Sequence, residues 1–185
     1  MQANYRIRTD LALETKERFE EDNVEISGVV IEESYDEEKD IQTTLVRIET
    51  EKGAKAMGKP QGIYITMEAP NMSVPDQDYH REISKELARH LRKLASLDKE
   101  KSVLVVGLGN RAITPDAVGP KAADRTLVTR HLIAMAPEHF GGFRPVAALA
   151  AGVLGTTGVE SGEIVKAVAD KIAPRAIIAV DALAA

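Results

Sequence analysis

The chain contains 185 residues, of which 44% are hydrophobic and none is cysteine, and its formal net charge is −5. This length and hydrophobic content predict one medium-sized domain with a packed core rather than a disordered chain. The negative charge argues against a protein that binds nucleic acid through bulk electrostatics. Without cysteine, disulfides, thiolate nucleophiles and cysteine-ligated zinc are excluded.

The two ends of the chain bear on localisation and completeness. Residues 1–10 lack the apolar segment of a signal peptide, and the longest apolar stretch, residues 146–154, is too short to span a bilayer. These features predict a soluble cytoplasmic protein without membrane contact. Because the sequence stops at residue 185, just after an apolar strand, we expect the native domain to continue beyond this carboxyl terminus.

The amino-terminal part predicts a short helix over residues 15–22 and then a β-hairpin. An apolar run from Ile26 leads into a very acidic turn, residues 32–40, and residues 41–48 alternate as in a half-buried strand. The acidic turn is either a solvated loop, which we favour, or a docking site for a basic partner.

A helical turn over residues 54–57 and a third strand over residues 62–67 follow. Glu68 ends this strand and is either a site residue or a surface cap. Residues 76–97 predict an amphipathic helix with one apolar stripe, formed by Ile83, Leu87, Leu91 and Leu94. Its histidines, His80 and His90, lack metal-ligand spacing and are weak candidates.

The most informative stretch is residues 103–116. Four β-forming residues predict a strand buried on both faces, followed by a turn through Gly107 and Gly109 and a polar cluster of Asn110, Arg111, Thr114 and Asp116. A second apolar strand, residues 176–180, ends directly on Asp181. In an open α/β sheet, ligands collect beyond the carboxyl ends of the strands, so we expect Asp116 and Asp181 to meet there.

The segments between these strands complete the predicted fold. They are a helix over 117–132, a loop over 137–145, a strand or buried helix over 146–154, a tight turn over 155–158 and a helix from Ser161 to Pro174. Alternation of strands and helices from residue 62 onward indicates an α/β class, with a mixed, largely parallel sheet flanked by helices.

Two chemistries fit the central loop. Residues 107–112 match the dinucleotide-binding fingerprint, but Pro115 disfavours the required helix, and no acidic strand end follows about 20 residues later. Alternatively, two close carboxylates share a proton, so that one holds a water as general base while the other polarises a carbonyl. The simpler interpretation, in which each aspartate caps a helix or binds backbone amides, stays equally open from spacing alone.

Four motifs, in order and spread over almost the whole chain, resemble the spore germination protease family. They are RTDLALE (8–14), GNRAITPDAVGP (109–120), GTTGVE (155–160) and VDALAA (180–185). The resemblance implies an endopeptidase whose catalytic residues are Asp116 and Asp181. We assign it no cofactor and no metal ligands, and whether it needs a metal stays open. We expect Asn110, Arg111, Thr156 and Thr157 to line its site, and Glu68 to join them.

The resemblance further implies how the protein is made and used. Its substrates would be the small acid-soluble DNA-binding proteins of the spore, in the forespore and spore core, with no direct binding to nucleic acid. The protein would be a homotetrameric zymogen when full-length, cut by itself between Asp10 and Leu11. Residues 1–10 would be the propeptide, and residues 11–185 a single catalytic α/β domain, incomplete at the carboxyl end.

A second family provides the runner-up. The hydrogenase-maturation proteases, which act on a metal-bound substrate, have a similar Gly-x-Gly-Asn loop followed by an acidic residue and a similar hydrolase-like fold. They lack the motifs at residues 8–12 and 155–158, and this sequence offers no convincing metal cluster.

Overall fold

The computed structural model describes residues 27–95 and 101–183, which belong to two compact units divided between Ser96 and Leu97. Several predictions fall on residues 1–26 and lie outside the described residues: the propeptide, the bond between Asp10 and Leu11, and the first short helix. The extent of the catalytic domain, residues 11–185, also stays a prediction.

The first unit contains a three-stranded antiparallel sheet in the order β1-β2-β3. Its strands are β1 (Val29–Asp36), β2 (Ile41–Ile48) and β3 (Gly62–Glu68). The central strand β2 contributes Val46 and Ile48 to a core that they share with Met57 of helix α1 (Glu51–Met57). The predicted amino-terminal hairpin is confirmed.

The acidic segment of the hairpin is mostly strand, whereas we predicted a turn over residues 32–40. Residues 32–36 continue β1, and only residues 37–40 form the turn. A strand at the edge of an antiparallel sheet has a solvent-facing side that accommodates charge, so acidic composition does not end it. Asp36 closes the turn by accepting the Lys39 backbone N–H at 3.1 Å and pairing with the Lys39 ammonium at 2.6 Å.

The prediction that the third strand leads into the parallel sheet is wrong. Strand β3 runs antiparallel to β2, with Gly62 opposite Ile48. The connecting helix α1 explains this direction, because its seven residues rise only about 10 Å. A parallel return along the eight-residue β2 would need about 27 Å. The chain therefore re-enters the sheet at the end of β2 that it has just left.

Helix α2 (Gln77–Ala95) confirms the predicted amphipathic helix, and Asp76 caps it. The Asp76 carboxylate accepts the backbone N–H groups of Asp78 and Tyr79 at 2.9 and 3.1 Å. The apolar stripe is only partly covered, because three of its members keep 38–50% of their surface exposed: Leu87, Leu91 and Leu94. The most buried side chain of the helix is instead His90, at 6% exposure.

His90 makes the stability of this unit sensitive to acid. Burial lowers the pKa of His90, and the neighbouring Arg89 charge adds to this effect against an opposing contribution from Glu86. The unfolded chain therefore takes up a proton more readily than the folded one. The free energy of unfolding is unaffected by this difference above the ordinary histidine pKa of about 6.5, and it decreases as the pH drops below that value.

We expect His90→Gln to flatten the decrease in the free energy of unfolding between about pH 7 and pH 5. All four tyrosines lie in residues 1–96 and the chain has no tryptophan, so tyrosine fluorescence during urea unfolding reports on this unit. The control is His139→Gln, because the His139 side chain is 75% exposed in the other unit. Parallel pH curves for His90→Gln and the unmodified chain would contradict the assignment.

The second unit contains a three-stranded parallel sheet in the order β5-β4-β6. Its strands are β4 (Val103–Leu108), β5 (Val146–Gly152) and β6 (Ala176–Val180), and its longer helices are α3 (Val118–Arg125), α4 (Arg130–Met135) and α5 (Ser161–Ile172). The protein is therefore a mixed α/β protein with helices beside a parallel sheet. Residues 146–154, left open between strand and helix, are a strand up to Gly152.

The predicted single helix over residues 117–132 is wrong, since it breaks into α3 and α4. The interruption coincides with Thr126, Val128 and Thr129, whose β-branched side chains fit a helix poorly. Thr129 is buried and bonds to the start of β5 instead, donating its backbone N–H to the Val146 carbonyl at 3.0 Å and accepting the Val146 N–H at 2.9 Å.

The predicted loop over residues 137–145 begins with a helical turn, Pro137–Phe140, and the predicted tight turn over residues 155–158 is a helical turn over Leu154–Thr157. Among the described residues, no helix combines the length and apolar character needed to cross a bilayer.

Candidate active site

The central strand β4 sets the position of the site. Its residue Gly107 lies opposite Ala150 of β5 and opposite Val180 of β6. Because all three strands are parallel, their carboxyl ends meet at one edge of the sheet. The loop after β4, the turn after β5 and Asp181 after β6 therefore leave the sheet at the same edge.

Two glycines bring the first turn of α3 against this edge. A Cβ atom on Gly119 would lie 2.1 Å from the Leu108 carbonyl oxygen and 2.4 Å from the Val180 carbonyl oxygen. A Cβ atom on Gly107 would lie 2.1 Å from the Gly119 carbonyl oxygen. Only glycine allows backbones to approach so closely. The start of α3 thus touches the ends of both β4 and β6, which lead to Asp116 and Asp181 respectively.

Asp116 is held firmly by its own loop. It ends a short 3₁₀ turn, Thr114–Asp116, and its side chain is half-buried. The Asn110 backbone N–H donates to Asp116 Oδ2 at 2.7 Å. Gly109 has a φ of 109°, and a Cβ atom there would lie 2.6 Å from Asp116 Oδ1. The interpretation that this aspartate binds a backbone amide is therefore correct, and it is compatible with a catalytic role.

Asp181 is more open. It is exposed directly after β6, and its Oδ1 accepts the Ala182 backbone N–H at 2.8 Å. Asp181 therefore presents its carboxylate at the sheet edge with one backbone donor.

A groove of about 560 Å³ opens at the same edge. Its lining is Gly109, Asn110, Arg111, Ala112, Pro120, Ala150, Gly152 and Thr156. The structure thus brings together three residues predicted for the site, Asn110 and Arg111 from the loop after β4 and Thr156 from the turn after β5. Asp116 is outside this lining, but its carboxylate accepts the backbone N–H of Asn110, which belongs to the lining.

The two threonines of the turn after β5 have structural bonds. The Thr156 hydroxyl donates to the Val153 carbonyl at 2.9 Å, and the Thr157 hydroxyl has two carbonyl acceptors within reach, Val159 at 2.8 Å and Val153 at 3.1 Å. Thr157 Oγ1 also accepts the Val159 N–H at 3.2 Å. Thr156 therefore lines the groove, while Thr157 closes the turn that supports it.

Arg111 is anchored by a residue that sequence reasoning missed. Its guanidinium Nη2 lies 2.6 Å from Asp124 Oδ1 on α3. Asp124 belongs to none of the sequence motifs. It reaches the loop because helix α3 packs back against the edge of the sheet. The ion pair is solvent-exposed, so it orients Arg111 more than it stabilises the fold.

Glu68 lies at the end of β3 in the other compact unit, opposite Gln42. Its participation in the site stays a prediction. In the described part of the chain, no group of three or more histidine, aspartate or glutamate side chains is arranged to hold a metal ion.

The dinucleotide interpretation fits the loop poorly. In that fingerprint a helix begins directly at the glycines, and its free N–H groups bind phosphate. Here α3 begins only at Val118, and the N–H of Asn110 already bonds to Asp116.

Comparison with known proteins identifies the family of this chain. A family model described as germination protease matches residues 7–185. The germination protease of Clostridium perfringens is 48% identical over 182 residues, covering 97% of this chain and 56% of that protein. That of Caldanaerobacter subterraneus is 50% identical, with coverage of 96% and 54%, and that of Priestia megaterium is 42% identical, with coverage of 99% and 51%.

The chain spans about half the length of these curated relatives. The matches extend across both compact units and include the loop after β4 and the end of β6. This chain therefore belongs to the germination protease family of peptidases.

Proposed function

We propose that the full-length protein containing this sequence is an endopeptidase of spore germination, and that Asp116 and Asp181 activate the attacking water. Family membership supports the reaction class. The observation that carries the residue assignment is the contact of Gly119 with the ends of both β4 and β6, since it directs the two aspartate-bearing segments to one edge.

In the proposed reaction one carboxyl group of the pair acts as general base and the other as general acid. The ionised member takes a proton from water, and the water oxygen attacks the peptide carbonyl carbon while the partner protonates the carbonyl oxygen. The intermediate then loses its C–N bond. The amine nitrogen takes the first proton, and a hydroxyl proton returns to the partner, so the pair ends as it began.

The groove is the proposed seat of the peptide. Its volume of about 560 Å³ falls within the range of 300–1,000 Å³ that is usual for binding sites. Arg111 and Thr156 supply side-chain polar groups along a wall whose other residues, apart from Asn110, are small or apolar. Such a wall suits an extended backbone with one or two polar anchors.

The substrates and processing belong to the same proposal. We infer that the protein degrades small acid-soluble spore proteins in the spore core, and that it is a tetrameric zymogen. Its first cut would fall between Asp10 and Leu11 and release residues 1–10. The family resemblance of the segment RTDLALE supports this inference.

The test uses the full-length protein, incubated with a purified small acid-soluble spore protein and, separately, with an unfolded protein of unrelated sequence. Mass spectrometry reads the new termini on both proteins and on the enzyme. Cleavage of the spore protein at a few defined bonds, with a new enzyme terminus at Leu11, is expected. The proposal would be overturned if the processed enzyme, which has lost residues 1–10, hydrolysed neither protein.

A further inference from the structure

Asn110 binds the loop after β4 through three of its own polar groups. Its side-chain Oδ1 accepts the Ala112 backbone N–H at 3.0 Å, which closes a tight turn. Its carbonyl oxygen accepts the Ile113 N–H at 3.1 Å. Its backbone N–H donates to Asp116 Oδ2 at 2.7 Å.

These bonds form a closed circuit. Ile113, which bonds to the Asn110 carbonyl, in turn accepts the Asp116 backbone N–H at 2.9 Å. Through this bond Asp116 is held close to Asn110, and its carboxylate accepts the Asn110 N–H, which closes the circuit. Gly109 completes the arrangement, since its φ of 109° orients the following peptide and the site has no room for a side chain.

We propose that Asn110 is the positioning residue for Asp116, and that its side-chain oxygen is the part responsible. This inference rests on the proposed function, in which Asp116 works on the water. Asn110 acts through the loop: Oδ1 holds the turn, and the turn aims the backbone N–H at the carboxylate. Asn110 lines the groove because of this turn, and its side chain does not contact the substrate.

The proposal has a distinct kinetic signature. Displacing a reacting group by about 1 Å costs up to about 100-fold in rate, because alignment is lost in the transition state. Loss of a substrate contact would instead raise KM. A positioning role therefore predicts that kcat falls while KM stays within about twofold.

The experiment compares Asn110→Ala with Asn110→Ser in the full-length protein. Serine retains a side-chain oxygen that closes such turns more weakly, whereas alanine has none. We expect kcat to fall about 10- to 100-fold in Asn110→Ala and to recover partly in Asn110→Ser. Crystal structures of both variants measure the distance between the backbone nitrogen at position 110 and Asp116 Oδ2.

The two readouts separate the possible failures. An unchanged distance in Asn110→Ala, or a raised KM with unchanged kcat, would overturn the positioning role. If the unmodified protein cleaves no peptide, the proposed function fails, and the crystallographic distances alone then decide the inference. A distance that lengthens in Asn110→Ala and is restored in Asn110→Ser supports it under either outcome.

Discussion

Asp116→Asn and Asp181→Asn are each expected to lower peptide hydrolysis by the full-length protein about 100- to 10,000-fold, the usual contribution of a general acid or base. Asparagine keeps the size of the side chain and one oxygen acceptor, so the Asn110 N–H retains a partner in Asp116→Asn. What disappears is the carboxylate that accepts or supplies a proton. Initial rates on a defined peptide and the appearance of a new terminus at Leu11 measure the effect.

Asp170→Asn is the matched control. Asp170 lies on α5 and pairs with Lys166 at 2.6 Å on an exposed helix surface, so its substitution removes one carboxylate without touching the sheet edge. Its activity should stay within about twofold of the unmodified protein, because exposed ion pairs contribute little.

The double variant gives a second check on this pair. If Asp116 and Asp181 act on one water, removing both costs little more than removing either, because groups that work as a unit are not additive. Full activity in either single variant would exclude the aspartate pair. Multiplicative losses would indicate that the two residues serve separate steps.

Local signals were sufficient to predict strands β4 and β6 and their carboxyl ends. The apolar runs before Gly107 and before Asp181 identify parallel strands, and the rule that parallel strands end together places both aspartates at one edge. The amino-terminal hairpin was likewise predictable from alternation. These features depend on the period and length of apolar runs, which a single sequence displays directly.

The errors share a different cause. The direction of β3 depends on how far α1 carries the chain, and the break before α4 depends on Thr129 finding partners in β5. Both are consequences of tertiary distances. The stripe on α2 also misled, because an amphipathic pattern shows which side chains are apolar but not what covers them.

The finer structure of the site was beyond sequence reasoning for the same reason. Asn110 and Arg111 were recognised as polar residues near the site, yet their partners follow from the shape of the loop for Asp116 and from the placement of α3 for Asp124. Gly119 lies within the motif that suggested the family, but its role appears only as a distance to two carbonyl oxygens. A close backbone approach leaves no periodic signal in the sequence.

The second large effect is expected where the backbone of α3 approaches the ends of β4 and β6. In Gly119→Ala the new methyl group would lie 2.1 Å from the Leu108 oxygen and 2.4 Å from the Val180 oxygen. Both are backbone atoms of paired strands and cannot rotate away. We expect a loss of about 2–3 kcal/mol in the free energy of unfolding, typical of overpacking in a tight site, together with a loss of activity as α3 is pushed off the sheet edge.

Gly162→Ala is the matched control, because Gly162 lies in α5 and a Cβ atom there meets nothing within 4 Å. It should stabilise the protein by about 0.5–1 kcal/mol, since alanine favours helix over glycine. The second unit has neither tyrosine nor tryptophan, so amide hydrogen exchange read on peptides from residues 101–183 is the suitable measurement. Faster exchange in β4 and β6 is expected only for Gly119→Ala.

Gly107→Ala tests whether Gly107 and Gly119 belong to a single close contact between α3 and β4. Its methyl group would meet the Gly119 carbonyl oxygen at 2.1 Å, so it pushes the same helix turn away from the same strand. Once either substitution has separated the two backbones, the other has less to disrupt. The double variant should therefore lose clearly less stability than the sum of the single losses. Two results would contradict this contact: strictly additive losses of stability, or a Gly119→Ala protein as stable as Gly162→Ala. Either would show that α3 does not press on the strand ends, and that this contact does not place the two aspartates at one edge.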